Sequence, residues 1–574
     1  MANLNNKAKA EHTYDAIVVG SGISGGWAAK ELTERGLKTL VLERGGPLKH
    51  IEGYTTAQTH PWETKYPRGR LPPAEMDAHY RAQQRTGYAL TEYTQHLFVR
   101  DDENPYGETQ RFDWIRGYHV GGRSLMWARQ SYRWSDLDFE ANAKEGVGVD
   151  WPIRYADIAP WYDHVERFAG ISGQAEGLPQ LPDGVFQPPM EMNCVEKHFK
   201  AKAEARFPER RITIGRTANL TAPTEEQLAL GRGKCQFRNL CIRGCPFGAY
   251  FSSNSATLVA AERTGRLQIR PNSIVTEVIF DEKLNKASGV RVLDAESHQT
   301  IEFYAPVIFL NASALNTAWI LLNSTSRRFP NGLGNSSDQV GRNIMDHHLG
   351  VGAMAEAPGF EGMYYSGRRP NGIYIPRFRN LGDAATKRDY LRGFGYQGGA
   401  GRLGWDRDVP GVGEARKAAL TQPGPWMVRI GGFGEILPYA DNRMTLNREV
   451  KDKHGLPTIT FDASIRENER KMRKDMAAAG AEMLEAAGFR NVRAFDGDYG
   501  PGLGIHEMGT ARMGRDPKTS VLNAHNQMWE CKNVFITDGA AMTSASCVNP
   551  SLTYMALTAR AAAFAVEAGR KGDL

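Results

Sequence analysis

The amino-terminal part of the chain alternates short apolar runs with polar or glycine-rich turns. The first run, Ala16 to Val19, is rich in β-branched residues and predicts a buried parallel strand. Beyond a glycine-rich turn, Ala28, Ala29 and Leu32 have the spacing of the buried face of a helix. A second apolar run, Lys38 to Leu42, predicts another strand. This order of strand, turn, helix and strand indicates an α/β fold with a parallel sheet.

Apolar patterns further along the chain predict additional strands and a long terminal helix. Val534 to Thr537 is another short apolar run, and the alternating stretches at Trp426 to Ile430 and Thr445 to Asn447 are typical of strands with one buried face. Near the end, Ala and Leu recur at helical spacing from about Ser551 to Ala568. Pro550 suits the first position of that helix, where its missing N–H group has no partner to lose.

Three glycines in the first turn have the spacing of a dinucleotide-binding loop. Gly20, Gly22 and Gly25 form G-x-G-x-x-G, and Glu43 ends the second predicted strand. Such glycines permit a tight turn, the approach of a pyrophosphate and close helix–strand packing, while the helix amino terminus offers free N–H groups. Glu43 can accept hydrogen bonds from an adenosine ribose. A turn without ligand would not account for Glu43, so the pattern predicts a dinucleotide, without separating FAD from NAD.

The composition indicates a globular enzyme rich in loops. Of 574 residues, 24% are charged and 41% hydrophobic, and the 61 glycines predict many tight turns. The formal net charge is only +6 and no Lys/Arg run stands out, so we expect no nucleic-acid partner. The first twelve residues are polar, and no stretch has the ~18 apolar residues that span a bilayer. We therefore expect neither an export signal in this chain nor a direct membrane span.

Six cysteines are too few for a disulfide scaffold in a chain of this length, but three of them are close together. Cys235, Cys241 and Cys245 lie within eleven residues, and Pro246 follows the last, as in iron–sulfur ligand runs. Three ligands suit a [3Fe–4S] cluster, whereas a [4Fe–4S] cluster would need a fourth donor, for which the distant Cys194 is a candidate without support. Zinc prefers four ligands and shorter spacing. Three reduced structural cysteines are the remaining alternative, which the neighbouring arginines disfavour.

Two polar residues near the carboxy terminus are candidates for catalysis. His506 follows a glycine-rich loop, and Asn549 precedes the predicted terminal helix. Taken alone, a single His is more often structural, and Asn549 would be interpreted as a helix N-cap. A glycine pair at Gly121 and Gly122 could bring the backbone against a planar or phosphorylated ligand, although a loop without ligand is the simpler interpretation.

Taken in order, these segments resemble the glucose–methanol–choline (GMC) family of FAD oxidoreductases. The resemblance is carried by the amino-terminal fingerprint, by GGRSLMW, by H-x-x-G-T-x-x-M-G at His506 and by the ending D-G…N-P-S-L-T. The segment from GRLQIRPNSIVTEVIFD to LLNS and the motif GRNIMDH at 341–347 are also similar to the family. The resemblance covers most of the chain and is weakest over about 350–490.

The resemblance implies a role for each matching residue. Gly20, Gly22, Gly25 and Glu43 would hold the ADP half of FAD; Gly121, Gly122 and Ser124 would approach the flavin or its pyrophosphate; and Asp538 would lie near the pyrophosphate or ribityl chain. His506 matches the family's catalytic histidine, and Asn549 its second catalytic position. Some members attach FAD through a histidine in the segment that resembles GGRSLMW. Because Leu125 and Met126 stand there, we expect non-covalent FAD.

The implied chemistry suits these side chains. Alcohol oxidation removes the hydroxyl proton and a hydride from the same carbon. His506, with an unperturbed pKa near ~6.5, is suited to accept that proton near neutral pH. Asn549 can donate or accept a hydrogen bond and so orient the alcohol oxygen. FAD performs the electron chemistry. Together the two residues argue against an electron-transfer module without enzymatic activity.

The spacing of the three cysteines is similar to that in the catalytic subunit of bacterial FAD sugar dehydrogenases of the same family. This resemblance implies a [3Fe–4S] cluster held by Cys235, Cys241 and Cys245, a cytochrome c acceptor, and a small subunit that carries an export signal. We therefore expect a dehydrogenase that is periplasmic through its partner, or cytoplasmic if it has no partner. The first expectation for the substrate is a glucoside, oxidised at carbon 3. Glucose oxidised at carbon 1, gluconate at carbon 2, and a GMC alcohol oxidase that uses oxygen are the alternatives.

The resemblance also implies two interleaved domains. We expect a Rossmann-like FAD-binding domain over 12–150, 230–348 and 500–574, with an iron–sulfur loop at 235–246. An α+β substrate domain, with an antiparallel sheet backed by helices, would take 151–229 and 349–499.

Overall fold

The computed structural model describes residues 14–574, apart from residues 366, 405 and 406. Its α-helices are, in chain order, α1 (Ile23–Glu34), α2 (Pro73–His79), α3 (Arg81–Thr86), α4 (Asp136–Phe139), α5 (Ala141–Glu145), α6 (Tyr155–Ala169), α7 (Cys194–Arg206), α8 (Glu225–Ala229), α9 (Thr257–Arg263), α10 (Ala314–Asn323), α11 (Gly413–Thr421), α12 (Glu467–Ala486) and α13 (Ser551–Lys571). Its β-strands are β1 (Ala16–Val19), β2 (Thr39–Leu42), β3 (Gly107–Glu108), β4 (Ile171–Ser172), β5 (Phe186–Gln187), β6 (Thr213–Ile214), β7 (Leu267–Arg270), β8 (Ser273–Asp281), β9 (Lys286–Asp294), β10 (Thr300–Tyr304), β11 (Val307–Leu310), β12 (His347–His348), β13 (Val351–Glu356), β14 (Ile373–Ile375), β15 (Phe394–Arg402), β16 (Trp426–Glu435), β17 (Arg443–Lys451), β18 (Pro457–Asp462), β19 (Arg490–Asp496) and β20 (Val534–Ile536).

A parallel sheet with the strand order β20–β11–β1–β2–β7 forms the centre of the first core. One face packs against α1, α9 and α13, and the other against α10 and the antiparallel sheet β10–β9–β8. Because both faces are covered, every residue of β1, β2, β11 and β20 is buried, which explains the continuous apolar runs in these strands. The predicted α/β class with a Rossmann-like parallel sheet is confirmed.

A second, antiparallel sheet has the order β19–β13–β16–β15–β14–β6, and the short strand β12 also pairs with β16. Helices α7 and α12 cover one face of this sheet, where Phe199 and Met476 share a core with Tyr396 of β15. Side chains alternate along a strand, so Gln397, next to Tyr396, points to the opposite face. That opposite face is turned towards the first core and forms one wall of the site described below.

The two sheets draw on interleaved parts of the chain. The parallel strands lie in the segments predicted for the FAD-binding domain, and the antiparallel strands lie in those predicted for the substrate domain, apart from β12. The packing also crosses this division, because α6 and the hairpin β17–β18 belong to the core around the parallel sheet through residues such as Tyr162 and Phe461. The domain boundaries themselves stay a prediction.

The local predictions agree with the structure to within a few residues. β2 begins at Thr39, β20 ends at Ile536, and the terminal helix extends to Lys571. The N-cap position of that helix is Pro550, which makes no side-chain cap hydrogen bond, and Asn549 lies one residue before it. The interpretation of Asn549 as a helix N-cap is therefore wrong. Among the helices of the described part of the chain, none has the length and hydropathy needed to cross a membrane.

Candidate active site

One cavity of about 300 Å³ extends from the loop between β1 and α1 to the two candidate catalytic residues. Most of the residues predicted for the site line it, and these are Gly20, Gly22, Glu43, Gly122, Ser124, His506, Asp538 and Asn549. Gly25 and Gly121 do not line it: a Cβ atom on Gly25 would overlap backbone, and one on Gly121 would overlap the side-chain amide of Asn254. The structure thus brings together residues that are more than 500 positions apart in the chain.

The three fingerprint glycines meet different surroundings. A Cβ atom on Gly25 would overlap the carbonyl oxygen of Gly20, and one on Gly20 would overlap the carbonyl oxygen of Asn311. These two positions are closed by backbone packing. A Cβ atom on Gly22 would meet nothing within 4 Å, because Gly22 faces the cavity. Gly22 also has no side chain to cap α1, so the first-turn N–H groups are open to a ligand, as pyrophosphate binding requires.

Glu43 lies at the end of β2, and both of its carboxylate oxygens are held by this loop. Oε2 accepts hydrogen bonds from Ser21 N at 3.1 Å and Ser21 Oγ at 2.5 Å, and Oε1 accepts from Gly45 N at 2.9 Å. Burial raises the pKa of Glu43, and the hydrogen bonds from Ser21 act against that shift. A carboxylate has more acceptor positions than these three bonds use, so Glu43 can still accept from a ribose hydroxyl.

The second glycine pair packs directly against the first loop. Gly121 N donates to Ser21 Oγ at 2.8 Å, and a Cβ atom on Gly122 would come 3.5 Å from the Cα atom of Gly22. Ser124 Oγ closes this turn by donating to the Gly121 carbonyl at 2.6 Å. Two glycine backbones therefore face each other at the cavity wall, which leaves room for a phosphorylated ligand to approach.

Asp538 lines the same wall from the carboxy-terminal part of the chain. It accepts hydrogen bonds from Thr317 Oγ1 at 2.6 Å and from Ala540 N at 2.9 Å. Burial raises the pKa of Asp538 to about 6, although the Thr317 hydroxyl opposes the shift. Open glycine backbone, a free helix terminus and Glu43 at one end, with polar side chains at the other, fit an extended dinucleotide such as FAD.

A buried carboxylate positions the loop that carries His506. Asp346 is fully buried and accepts four backbone hydrogen bonds of 2.7–3.0 Å. The donors are the N–H groups of His347, Gly502, Gly504 and His506. Burial, with the charge of nearby Glu507, raises the pKa of Asp346 to about 7. Ile505 has a φ of 58°, which is unusual for a β-branched residue. The hydrogen bonds that Asp346 accepts from Gly504 N and His506 N, on either side of Ile505, hold this strained backbone in place.

His347 determines which nitrogen of His506 carries the proton. His347 Nε2 lies 3.1 Å from the carbonyl oxygen of Ala545, and its Nδ1 lies 2.9 Å from Nδ1 of His506. A carbonyl only accepts, so His347 Nε2 donates and its Nδ1 has the lone pair. We infer that His506 Nδ1–H donates to that lone pair, which leaves His506 Nε2 unprotonated. Burial, followed by His347 and Arg123, lowers the pKa of His506 well below its usual value, so the imidazole is neutral at pH 7.

Asn549 is oriented by a residue of the antiparallel sheet. Gln397 Nε2 donates a hydrogen bond to Asn549 Oδ1, and both side chains line the cavity with His506. With Oδ1 engaged, the amide nitrogen of Asn549 is the atom available to a ligand. The backbone before Asn549 is also constrained, because Ser546 has a φ of 57° and its hydroxyl donates to Asp138 at 2.6 Å.

The three clustered cysteines lie apart from this cavity, around a smaller one. Cys235, Cys241 and Cys245 all line it, and Asn219 faces it from a neighbouring segment. Burial raises the pKa of the Cys235 thiol to about 11, and it also raises that of Cys241, which the charge of Arg129 opposes. Among the described residues, no group of three or more His, Cys, Asp or Glu side chains is arranged to hold a metal ion. The iron–sulfur cluster therefore stays a prediction.

Several residues of the site were not predicted from the sequence. Asp346 and His347 lie in the motif GRNIMDH, which supported the family resemblance but was not interpreted as part of the active site. Arg123 forms a bidentate ion pair with the buried Glu507, at 3.0 and 2.7 Å, and its neighbours in GGRSLMW gave the only hint. Gln397 lies in a glycine-rich strand with no recognisable motif, and only the folded structure brings it to Asn549.

The fold and the cavity together define a dinucleotide-dependent oxidoreductase. Sequence comparison identifies the family: the two profiles described as GMC oxidoreductase match residues 14–349 and 438–558. The chain belongs to the GMC oxidoreductase family, as the sequence motifs predicted, and is an FAD-dependent oxidoreductase acting on CH–OH groups. Family membership implies FAD, which the glycine loop, the open helix terminus and Glu43 would hold.

Individual relatives are similar to the chain over nearly its whole length. The 2-methyl-1,2-propanediol dehydrogenase of Mycolicibacterium austroafricanum is 28% identical over 95% of this chain and 94% of its own. The fructose dehydrogenase large subunit of Gluconobacter japonicus is 27% identical over 96% of this chain and 97% of its own. The crystal structure of pyridoxine 4-oxidase from Mesorbium loti superposes with a TM-score of 0.59 at 16% identity, covering 96% of this chain and 98% of that one, and shows the fold alone.

Proposed function

We propose that the chain is a dehydrogenase that oxidises a hydroxyl group of a sugar or glycoside to a keto group. The substrate we propose first is a glucoside, oxidised at carbon 3. The observation that supports this most strongly is the pair of groups at the end of the cavity. His506 Nε2 offers a lone pair, and Asn549 Nδ2 offers an N–H group. A hydroxyl group is both a donor and an acceptor, so it satisfies both groups at once. The sugar and diol dehydrogenases among the relatives support the substrate class.

The chain's own residues account for the proton in this reaction. The substrate hydroxyl donates to His506 Nε2 while its oxygen accepts from Asn549 Nδ2, and the proton passes to the imidazole as the carbonyl forms. His347 keeps the imidazole in the required tautomer, because it accepts the hydrogen bond from His506 Nδ1. Bound FAD supplies the acceptor for the hydride. We propose that FAD is bound non-covalently, because the apolar residues Leu125 and Met126, and no histidine, occupy the GGRSLMW segment through which some family members attach FAD.

A panel of substrates with two acceptors tests the function. We expect methyl glucosides, glucose, gluconate and simple alcohols to be oxidised at different rates with an artificial dye, with a glucoside the fastest. With oxygen as the acceptor, peroxide should form at least about tenfold more slowly than the dye is reduced. Equal rates with dye and oxygen would instead favour an alcohol oxidase, and no turnover of any alcohol would refute the proposed function.

We also propose a [3Fe–4S] cluster held by Cys235, Cys241 and Cys245, which would supply one-electron transfer towards an external cytochrome c. Three thiols around one cavity support this. After anaerobic purification we expect about three iron atoms per chain and a matching EPR signal. Cys241→Ser should lose most of the iron while FAD is retained, whereas Cys531→Ser should keep it, because Cys531 is buried in the main core.

Two outcomes would change the cluster proposal. Iron near zero in carefully prepared protein would refute it, and loss of iron in Cys194→Ser would indicate a fourth ligand at the start of α7.

By analogy with the bacterial sugar dehydrogenases, we also propose a small partner subunit with an export signal and a periplasmic location; a chain without that partner would be cytoplasmic. Co-expression followed by fractionation tests that location.

A further inference from the structure

Gln397 lines the cavity from β15, with Tyr374 of β14 as one cross-strand neighbour and Phe433 of β16 in the same cavity wall. Its face of β15 otherwise has glycines at 395, 399 and 401, and its cross-strand partner in β16 is Gly431. A Cβ atom on Gly431 would meet nothing closer than 3.8 Å. Cβ atoms on Gly395 and Gly399 would instead come 3.1 Å from Tyr374 Oη and 2.9 Å from Glu196 Oε1, so the open space beside Gln397 lies over Gly431.

The two ends of the Gln397 amide have different surroundings. Its nitrogen donates to Asn549 Oδ1. No described residue donates a hydrogen bond to its oxygen, Oε1, and the side chain is only half-buried at the cavity wall. The oxygen is thus a free acceptor whose position is determined by the same hydrogen bond that orients Asn549.

We propose that Gln397 Oε1 accepts a hydrogen bond from a second hydroxyl of the substrate, on the carbon next to the one oxidised. The site then selects vicinal diols, the grouping that sugar rings and simple 1,2-diols share. This inference rests on the proposed function and names the substrate class of the same site. Three adjacent groups define it: His506 Nε2 as acceptor and Asn549 Nδ2 as donor for the reacting hydroxyl, and Gln397 Oε1 as acceptor for its neighbour.

The hydrogen bond between Gln397 and Asn549 keeps their two amides adjacent at the cavity wall. The oxygens of a gauche diol are separated by roughly 2.8 Å, about one O–H···O hydrogen-bond length, so the two hydroxyls of one diol can bind to adjacent amides. A substrate without the second hydroxyl leaves Gln397 Oε1 facing an apolar carbon in a site from which water has been displaced. Sites built to bind a hydroxyl discriminate strongly against analogues that lack it, because their own polar group then stays unpaired.

Matched substrates test the proposal in the FAD-loaded enzyme. We expect kcat/KM for 1,2-propanediol to exceed that for 1-propanol and 2-propanol by at least about tenfold. In Gln397→Leu this ratio should fall close to one. In Gln397→Glu one carboxylate oxygen can accept from Asn549 Nδ2, which takes that N–H group from the reacting hydroxyl and lowers kcat for every substrate, while the other oxygen remains an acceptor and the preference for the diol persists. Gln422→Leu, on an exposed residue after α11, is the control, and FAD content and melting temperature confirm folding.

The outcomes separate this inference from the proposed function. A parent enzyme that oxidises mono-alcohols as well as diols, or a ratio that is unchanged in Gln397→Leu, would overturn the role of Gln397 and leave the dehydrogenase proposal standing. An enzyme that oxidises neither class of substrate would overturn both. If Gln397→Leu does not fold, loss of the diol preference in Gln397→Glu contradicts the proposal by itself.

Discussion

His506→Ala is expected to lower kcat by about 10²- to 10⁴-fold, the range that a lost general base produces. His506 Nε2 is the unprotonated nitrogen at the substrate end of the cavity, since its other nitrogen is bound to His347. The loop position depends on backbone hydrogen bonds to Asp346, so removing the imidazole should leave the FAD content and melting temperature close to those of the parent. Anaerobic single-turnover reduction of the bound flavin by substrate measures the chemical step directly.

The pH profile provides a second test of the same assignment. Burial, with the charges of His347 and Arg123, lowers the pKa of His506 well below 6.5, so the free base is present at neutral pH and is lost only when the pH falls through that lowered value. The acid limb of kcat/KM should therefore lie below about pH 6.5 in the parent and disappear in His506→Ala. His60→Ala, on an exposed histidine, should change neither quantity. Turnover near that of the parent in His506→Ala would remove His506 from the mechanism.

The parts of this site that the sequence predicts are those formed over short stretches of chain. Gly20, Gly22 and Gly25 lie in one turn, and their roles follow from whether a Cβ atom would meet backbone or open space. Such local requirements leave a regular spacing that can be interpreted without the fold. The strands of the parallel sheet are predicted for the same reason, because burial on both faces makes each of them an apolar run.

The arrangement around His506 and Asn549 depends on contacts between distant segments. Local patterns favoured a structural histidine and a helix N-cap, and only the resemblance to the GMC family indicated catalysis. The decisive contacts, His506 with His347 and Asn549 with Gln397, join residues 159 and 152 positions apart. These contacts arise because β12 and β15 both pair with β16. Pairing between strands that are distant in the chain produces no regular spacing of residues that could be recognised in the sequence. The role of Gln397 therefore became visible only in the fold.

Gly25→Ala is expected to abolish FAD binding and to lower the free energy of unfolding by about 3 kcal/mol or more. The new methyl group would overlap the carbonyl oxygen of Gly20, which is backbone and cannot rotate away. Either α1 moves away from β1, or the turn between them opens. Both changes displace the helix terminus that would bind the pyrophosphate. Denaturant unfolding of the apoprotein and FAD titration measure the two effects.

Two other glycines separate the contribution of packing from that of the ligand site. Gly22→Ala adds a methyl group that meets no protein atom within 4 Å but projects into the cavity, so FAD affinity should fall at least about tenfold while the stability of the apoprotein stays unchanged. Gly569→Ala, inside α13, meets only one atom, at 3.9 Å, and should leave both quantities unaffected or raise stability by up to about 1 kcal/mol. If Gly25→Ala bound FAD as tightly as Gly569→Ala, the nucleotide would have to lie elsewhere than at the amino terminus of α1.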